Sequence, residues 1–459
     1  MSLLSEFLDI AQHWRPVFPQ QRTFHRAVRQ SLGSLVCLGR RCLSRIIWTN
    51  GGQQRSWSAE YFLHSRCRWQ PQQLFAPILA RALPYCPQRL VGVAVDDTRI
   101  RKTGRCIPQA FYQRDPMSPP FHVNLTLGLR FLQASLLLPL HRNAAVSARA
   151  VPIRFEEVSR VKRPGNKSSD QMKKQYRAAL KQHNLSQRFV ALGEQLRRAF
   201  DEAGAASKIL VLAGDGSFCN RTCFGHIPER SILLVRARKD ARLCLRAPAG
   251  SHRFYAVDKF TPEQVRTNQA CPWNTTKIFY GGKRRKVRFK AVATVYRQGG
   301  ARQRPLRLIV IAPTPYYKAR SKRTYYRNPA YLLTTDLHAS VKQLLQIYFD
   351  RWQIEVNHRE EKDTLGVGQA QLWNVMAVPK QPVLAVASYS ALLLAALKAF
   401  GAERGSAYAA LPKWRRNARR PSCLDLITLL RQEIAQQPPV LASLGLKIDD
   451  SQLLRAAAA

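Results

Sequence analysis

In a chain with 28 carboxylates against 74 lysines and arginines, acids that close apolar runs stand out. Asp96 and Asp97 end LVGVAVDDT, and Asp215 ends KILVLAGDG. A hard cation such as Mg²⁺ takes oxygen ligands, usually one or two carboxylates with water and phosphate oxygens. Two such ions about 3.5–4 Å apart can clamp the attacking and leaving oxygens of an in-line phosphoryl displacement. A third acid lies in YFDRWQIEVNHREEK, where Tyr348, Arg351, Glu355 and Lys362 follow one another at intervals of three, four and seven. At about 100° per residue they fall within an arc of roughly 60° on one helix face, a carboxylate among two cations and a phenol. Taken alone, that spacing is equally that of ordinary surface charge pairing. The strand-terminal aspartates favour the chemical reading. Side chains alternate along a strand, so Asp96 and Asp97 cannot both face one site, and spacing does not choose between them.

The elements that must position these acids read as an α/β core. LVGVAVDDT is rich in small and β-branched residues, FHVNLTLGLRFLQASLLLPL reads as two more strands, and KILVLAGDG as a fourth. Residues 170–205 alternate charged and apolar groups as a helix does. Strands and helices in that succession imply a sheet with helices on its faces, and the carboxyl ends of such strands are where open α/β sheets bind ligands.

The flanking regions are strongly cationic. Between residues 10 and 95 Glu60 faces twelve arginines and no lysine; between 264 and 335 there is no acid against seventeen cations, including KRRKVRFK and KARSKRTYYR. The first stretch has helical spacing. The second belongs to a run of short β-like segments broken by Gly-Gly and Pro. Solvated faces account for part of this, but phosphate contact explains the one-sidedness better, and cationic strands with interleaved aromatics suit a nucleic-acid backbone. Trp273 reads as a packed tryptophan of this β region, with insertion between bases as the other role open to it. The resulting division is a basic helical DNA-binding domain at 1–88, an α/β core at 89–224 and 336–400 around a β-rich insertion at 225–335, and a helical region at 401–459.

A formal charge of +46 calls for a polyanionic partner. The ten cysteines are scattered singly, as expected of reduced thiols in a cytosol. Cys219, Cys223 and His226 offer three zinc donors without a fourth. The first residues lack a basic n-region and a long apolar core, which reads against a signal peptide. The run Val383–Leu397 is short for a membrane span and reads as a buried core helix.

Asp-Asp-Thr at 96–98 with Lys-x-Gly at 102–104, the strand ending in Asp215, and Y-(2)-R-(3)-E-(6)-K at 348–362 together resemble the DDE transposases of bacterial insertion sequences, in the group bearing that last signature. The resemblance implies a ribonuclease-H-like core whose glutamate follows a β-rich insertion. It implies Asp97, which directly precedes Thr, with Asp215 and Glu355 as catalytic residues and metal ligands. Tyr348, Arg351 and Lys362 are then DNA-binding residues at the transposon end. Two Mg²⁺ ions are the expected cofactors, with Mn²⁺ as a substitute. The expected activity is binding of terminal inverted repeats, cleavage at the element ends and joining of 3′ hydroxyls to target double-stranded DNA, by a homodimer paired on two ends. The expected setting is a bacterial cytoplasm at the nucleoid, with no membrane. The competing expectations are a DNA-binding descendant that no longer cuts and a nuclease without strand transfer.

Overall fold

A computed structural model of the chain describes residues 2–437 apart from 54–55, 116–117, 120, 318–322 and 416–417. Fourteen strands are present among them: β1 Leu90–Arg101, β2 Phe111–Arg114, β3 Leu125–Leu138, β4 Arg149–Glu157, β5 Ile209–Gly214, β6 Ser231–Ala237, β7 Leu243–Arg246, β8 Tyr255–Phe260, β9 Asn274–Tyr280, β10 Lys283–Arg297, β11 Arg302–Ile311, β12 Pro315–Tyr317, β13 Thr324–Tyr326 and β14 Ala330–Thr334. All but β12 and β13 belong to one mixed sheet.

The part that carries the acids runs β4-β3-β1-β5-β6. Within it β3 lies antiparallel to β1, while β5 and β6 run parallel to β1. Parallel neighbours need a crossover, here supplied by the helices Asp170–Gln182 and Leu185–Glu202. This mixed sheet with helices is compatible with a ribonuclease-H-like fold. The two segments read as separate strands in residues 121–140 are one strand, β3. The second half of this fourteen-residue strand is buried and pairs with β1 on one side and β4 on the other, with a register shift against β4 between Ala134 and Ser135. The single helix expected over 170–205 is two, parted at His183 and Asn184, where the Asn184 side chain caps the second by accepting from Gln187 N.

The β-rich stretch extends the same sheet: β14 pairs with β6, β11 with β14, and β10 with β11. The sequence grouped β6 with this stretch, but it pairs in parallel with β5 and so continues the acid-bearing strands. The basic N-terminal region is helical, with helices Leu3–Gln12, Gln21–Val36, Leu43–Thr49, Ser58–Ser65 and Phe75–Ala82. All but Leu43–Thr49, which packs on Gln21–Val36, share a hydrophobic core with the sheet and with the helix Ala377–Phe400. That long helix is apolar around its whole circumference because it is packed on all sides, 83% of its most hydrophobic window being buried. The helical character expected from residue 336 onward is interrupted: among the described residues no helix occupies 401–422, and the next runs Cys423–Gln436. Glu433 on this last helix accepts from Leu3 N and Leu4 N at 2.9 and 2.6 Å, filling two of the donors that a helix start leaves open. Residues 438–459 lie outside the described residues.

Candidate active site

Parity decides which aspartate meets the third acid. Along β1, Val91, Val93 and Val95 join the large core, whereas Ala94 packs with Ile354 and Ile347, and a Cβ at Gly92 would meet Ile347 at 2.9 Å. The face carrying residues 92, 94 and 96 therefore looks onto the segment 341–359, and the small residues on it let that segment come close. Ala94 is paired with Ala213 in the parallel β1–β5 register. Two residues on, and on that same face, come Asp96 and Asp215; Asp215 directly follows the end of β5, whereas Asp96, expected at a strand end, lies midway along β1, which continues to Arg101 through its pairing with β3. Asp97 points the other way, and Arg130 of β3 donates to it from Nε at 2.7 Å.

The third acid arrives on the segment after the insertion. Helix Val341–Asp350 is followed by Gln353–Arg359 and then by a π-turn, Glu360–Thr364. The junction is overwound: Ile354 N and Glu355 N donate to Arg351 O and Trp352 O, three residues back. The π-turn is underwound, with Leu365 N donating to Glu360 O. The uniform helix from which a narrow stripe follows is thus absent, because tightened and widened turns change the rotation per residue.

Ligand atoms of Asp96, Glu355 and His358 all lie within 4.8 Å of one another. Asp97 and Asp215 lie outside that group, although the Asp215 charge still acts on Asp96. Asp215 is held by Ser217, whose backbone N and Oγ donate to it at 2.9 and 2.5 Å. Burial, followed by the charges of Glu355 and Asp215, pushes the Asp96 carboxyl up to about 7, with Arg351 opposing the rise. Close carboxylates in a desolvated place resist ionising together, and a cation relieves the conflict.

His358 was not singled out from the sequence. It stands three residues after Glu355, a spacing that puts both on one helix face, and that interval was the available signal. It is 7% exposed, and its Nε2 is buried without a hydrogen-bond partner. Burial, with Lys362 and Arg351 nearby, depresses its pKa to about 3, so the ring is neutral and has a lone pair to give. Two carboxylates and a neutral imidazole fit a divalent cation.

The remaining signature residues surround this group. Arg351 Nη1 is 3.9 Å from Glu355 Oε1, too long for a hydrogen bond, and Arg351 Nε and Nη1 are buried without partners. A guanidinium with open donors in a concave site is what a phosphate oxygen requires. Lys362 feels the charges of Glu355 and Asp96 among others, and burial lowers its pKa. Tyr348 and Arg351 line a cleft of about 470 Å³ together with Arg236, Tyr280, Arg327 and the exposed Trp352.

Lys102, from the Lys-x-Gly motif, is a strut. It is buried, and its Nζ donates to Gly368 O and Ala370 O at 2.7 and 2.8 Å. Gly368 sits at φ +89° with Ile100 pressed against it, where a Cβ would lie 1.8 Å from Ile100 Cγ2. The far end of β1 is thereby fastened to the loop that follows the π-turn, which fixes the strand bearing Asp96 relative to the segment bearing Glu355.

The cationic β stretch divides into two roles. Lys283, Arg284, Lys286 and Arg288 on β10 are exposed, and Lys286 lies directly opposite the exposed Lys277 of β9. Like charges facing each other across a ladder destabilise it unless an anion intervenes. Lys290, 1% exposed, instead donates to the carbonyls of Val265, Arg266 and Asn268 and closes the end of helix Pro262–Thr267. The Trp273 ring is covered by Lys290 and Arg288, 4.7 and 5.2 Å from its centroid. Part of KARSKRTYYR, residues 318–322, lies outside the described residues.

A family model described as DDE superfamily endonuclease matches residues 15–297, more than half of the chain. The match includes both aspartate-bearing strands and stops short of the Tyr348–Lys362 segment. No curated protein matches the chain.

Proposed function

We propose, from the premise that this chain belongs to the DDE superfamily endonucleases, that it is a transposase whose phosphoryl-transfer centre is built from Asp96, Asp215 and Glu355. The family makes it a nuclease- or transposase-type enzyme with DNA as its substrate, and such nucleases typically use divalent metals. The observation that carries the finer assignment is the meeting of Asp96 with Glu355 in a place where burial raises Asp96 to about 7. Asp96 takes the role that the motif alone gave to Asp97, because Asp97 is already paired with Arg130.

In this reading Asp96 and Glu355 would hold an ion, with Asp215, whose charge acts on Asp96, as the third carboxylate at the neighbouring strand end. When bound, divalent ions stabilise charge on the attacking and leaving oxygens of the displaced phosphate. The protein supplies the rest. Arg351 offers two unengaged N–H groups to a phosphate oxygen, Lys362 adds a cation on the same side of the site, and Tyr348 lines the adjoining cleft against which a strand end can lie. The Lys102 strut ties β1 to the loop after the π-turn, so Asp96 and Glu355 are positioned before substrate arrives. The exposed cations of β9 and β10 and the basic N-terminal helices provide the phosphate-contacting surface that retains the DNA.

The chemistry proposed is cleavage at the ends of the element, freeing 3′ hydroxyls, followed by attack of those hydroxyls on target DNA. Pairing of two ends calls for a homodimer on DNA. Glu355→Gln removes ligand charge with few phosphate contacts. End-labelled DNA incubated with the variant and Mg²⁺ should be retained in a mobility-shift assay while cutting falls at least about 10³-fold. Retained nicking refutes the assignment of Glu355. A joining assay with pre-cut ends separates the transposase from a nuclease that only cuts.

A further inference from the structure

Two carboxylates on a strand and a helix would suffice for an all-oxygen ion site, yet the structure adds a nitrogen. A His358 ligand atom stands within 4.8 Å of those of Asp96 and Glu355. The side chain is almost wholly buried, and its Nε2 makes no hydrogen bond. Its neighbour Asn357, by contrast, is anchored through Nδ2, donating to Ala150 O and to Tyr389 Oη at 3.0 Å each. That anchor sets the rotation of the helix, and with Ile354 packed against Ala94 it aims Glu355 and His358 at Asp96 together. Buried polar groups that find no partner inside the protein mark a place for a ligand or ion.

We propose that His358 is a ligand to the ion held by Asp96 and Glu355, and that this nitrogen makes the site select Mn²⁺ over Mg²⁺. The inference rests on the reading of those carboxylates as ion ligands. Mg²⁺ is a hard ion that takes oxygen and gives up its water reluctantly. Imidazole favours first-row transition ions, and Mn²⁺ is among those that also accept a carboxylate-rich site. A site of two carboxylates and one imidazole therefore gains on Mn²⁺ what it does not gain on Mg²⁺.

The test uses the full-length protein stripped of metal with a chelator. MnCl₂ and MgCl₂ are titrated separately by calorimetry, and the Mn²⁺-loaded protein is examined by pulsed electron paramagnetic resonance, where a coordinated imidazole gives ¹⁴N modulation. The expected result is ¹⁴N modulation in the unaltered protein that disappears in His358→Gln, with Mn²⁺ affinity falling on the order of ten-fold and Mg²⁺ affinity almost unchanged. Absence of ¹⁴N modulation in the unaltered protein, or equal losses for the two ions in the variant, overturns the proposal and leaves the carboxylates' role standing. Failure of both ions to bind overturns this proposal and the carboxylate reading together. The spectrum of the unaltered protein requires no variant, so a folding defect in His358→Gln does not shield the idea.

Discussion

Asn substitutions at the two adjacent aspartates should act in opposite directions. Asp96 is a destabilising charge in the metal-free protein: its carboxyl is raised from 3.8 to about 7, first by burial and then by Glu355 and Asp215. A raised folded-state pKa means that the folded protein holds the proton more tightly than the unfolded chain. The penalty is absent below about pH 4, grows as the pH rises, and is complete above about 7. Three units at 1.36 kcal/mol each set an upper limit of about 4 kcal/mol. Asp96→Asn, measured by urea unfolding at pH 8 in a chelator, should therefore be more stable than the unaltered protein by about 1–4 kcal/mol, with the advantage vanishing at pH 4. Added Mg²⁺ or Mn²⁺ should stabilise the unaltered protein and not the variant, while cleavage is abolished in the variant. Asp97→Asn removes a charge-assisted bond to Arg130 whose partners are 15% and 27% exposed, and should cost about 1.5–3 kcal/mol with cleavage retained by the folded fraction. If Asp96→Asn is the less stable protein at pH 8, or if folded Asp97→Asn cannot cut, the parity argument that placed Asp96 in the site is wrong.

Three further outcomes follow from individual side chains. Glu361 is 2% exposed and raised to about 8 by burial, so thermal stability should decline between about pH 4.5 and 8 and Glu361→Gln should flatten that decline; an unchanged profile would refute the assignment. Lys102→Met strands the carbonyls of Gly368 and Ala370 and should lower stability by about 2–3 kcal/mol in urea unfolding. Replacing Lys286 and Arg288 with Gln should weaken binding to DNA of any sequence and reduce the slope of log affinity against log salt by about 0.9 for each phosphate no longer neutralised, while leaving the fold intact because both side chains are exposed; a slope identical to that of the unaltered protein would place the DNA elsewhere.

What the sequence made legible was chemistry type and approximate place: apolar runs ending in acids, a distant glutamate among cations, and cation-rich flanks. Its limits have definite causes. The choice between Asp96 and Asp97 depends on which face of β1 meets the helix, and the clue was in the smaller residues. Gly92 and Ala94 alternate with Val91, Val93 and Val95, so the even-numbered face is the one another element can approach closely. Adjacency to Thr98 carries no such steric information. The helical stripe pointed to the segment carrying Glu355 through an ideal rotation that the segment does not have, since hydrogen bonds three residues back at 354 and 355 and five back at 365 are set by packing rather than by local propensity. Lys102 read as part of the Lys-x-Gly motif and Lys290 as part of the cationic surplus, yet both are buried struts closing backbone carbonyls. Composition sums charges without knowing which way they face. Lys277 and Lys286 point outward, directly opposed across a ladder, and a fold that tolerates such an arrangement next to buried, unengaged guanidinium nitrogens at Arg351 is one whose electrostatics close only around a polyanion.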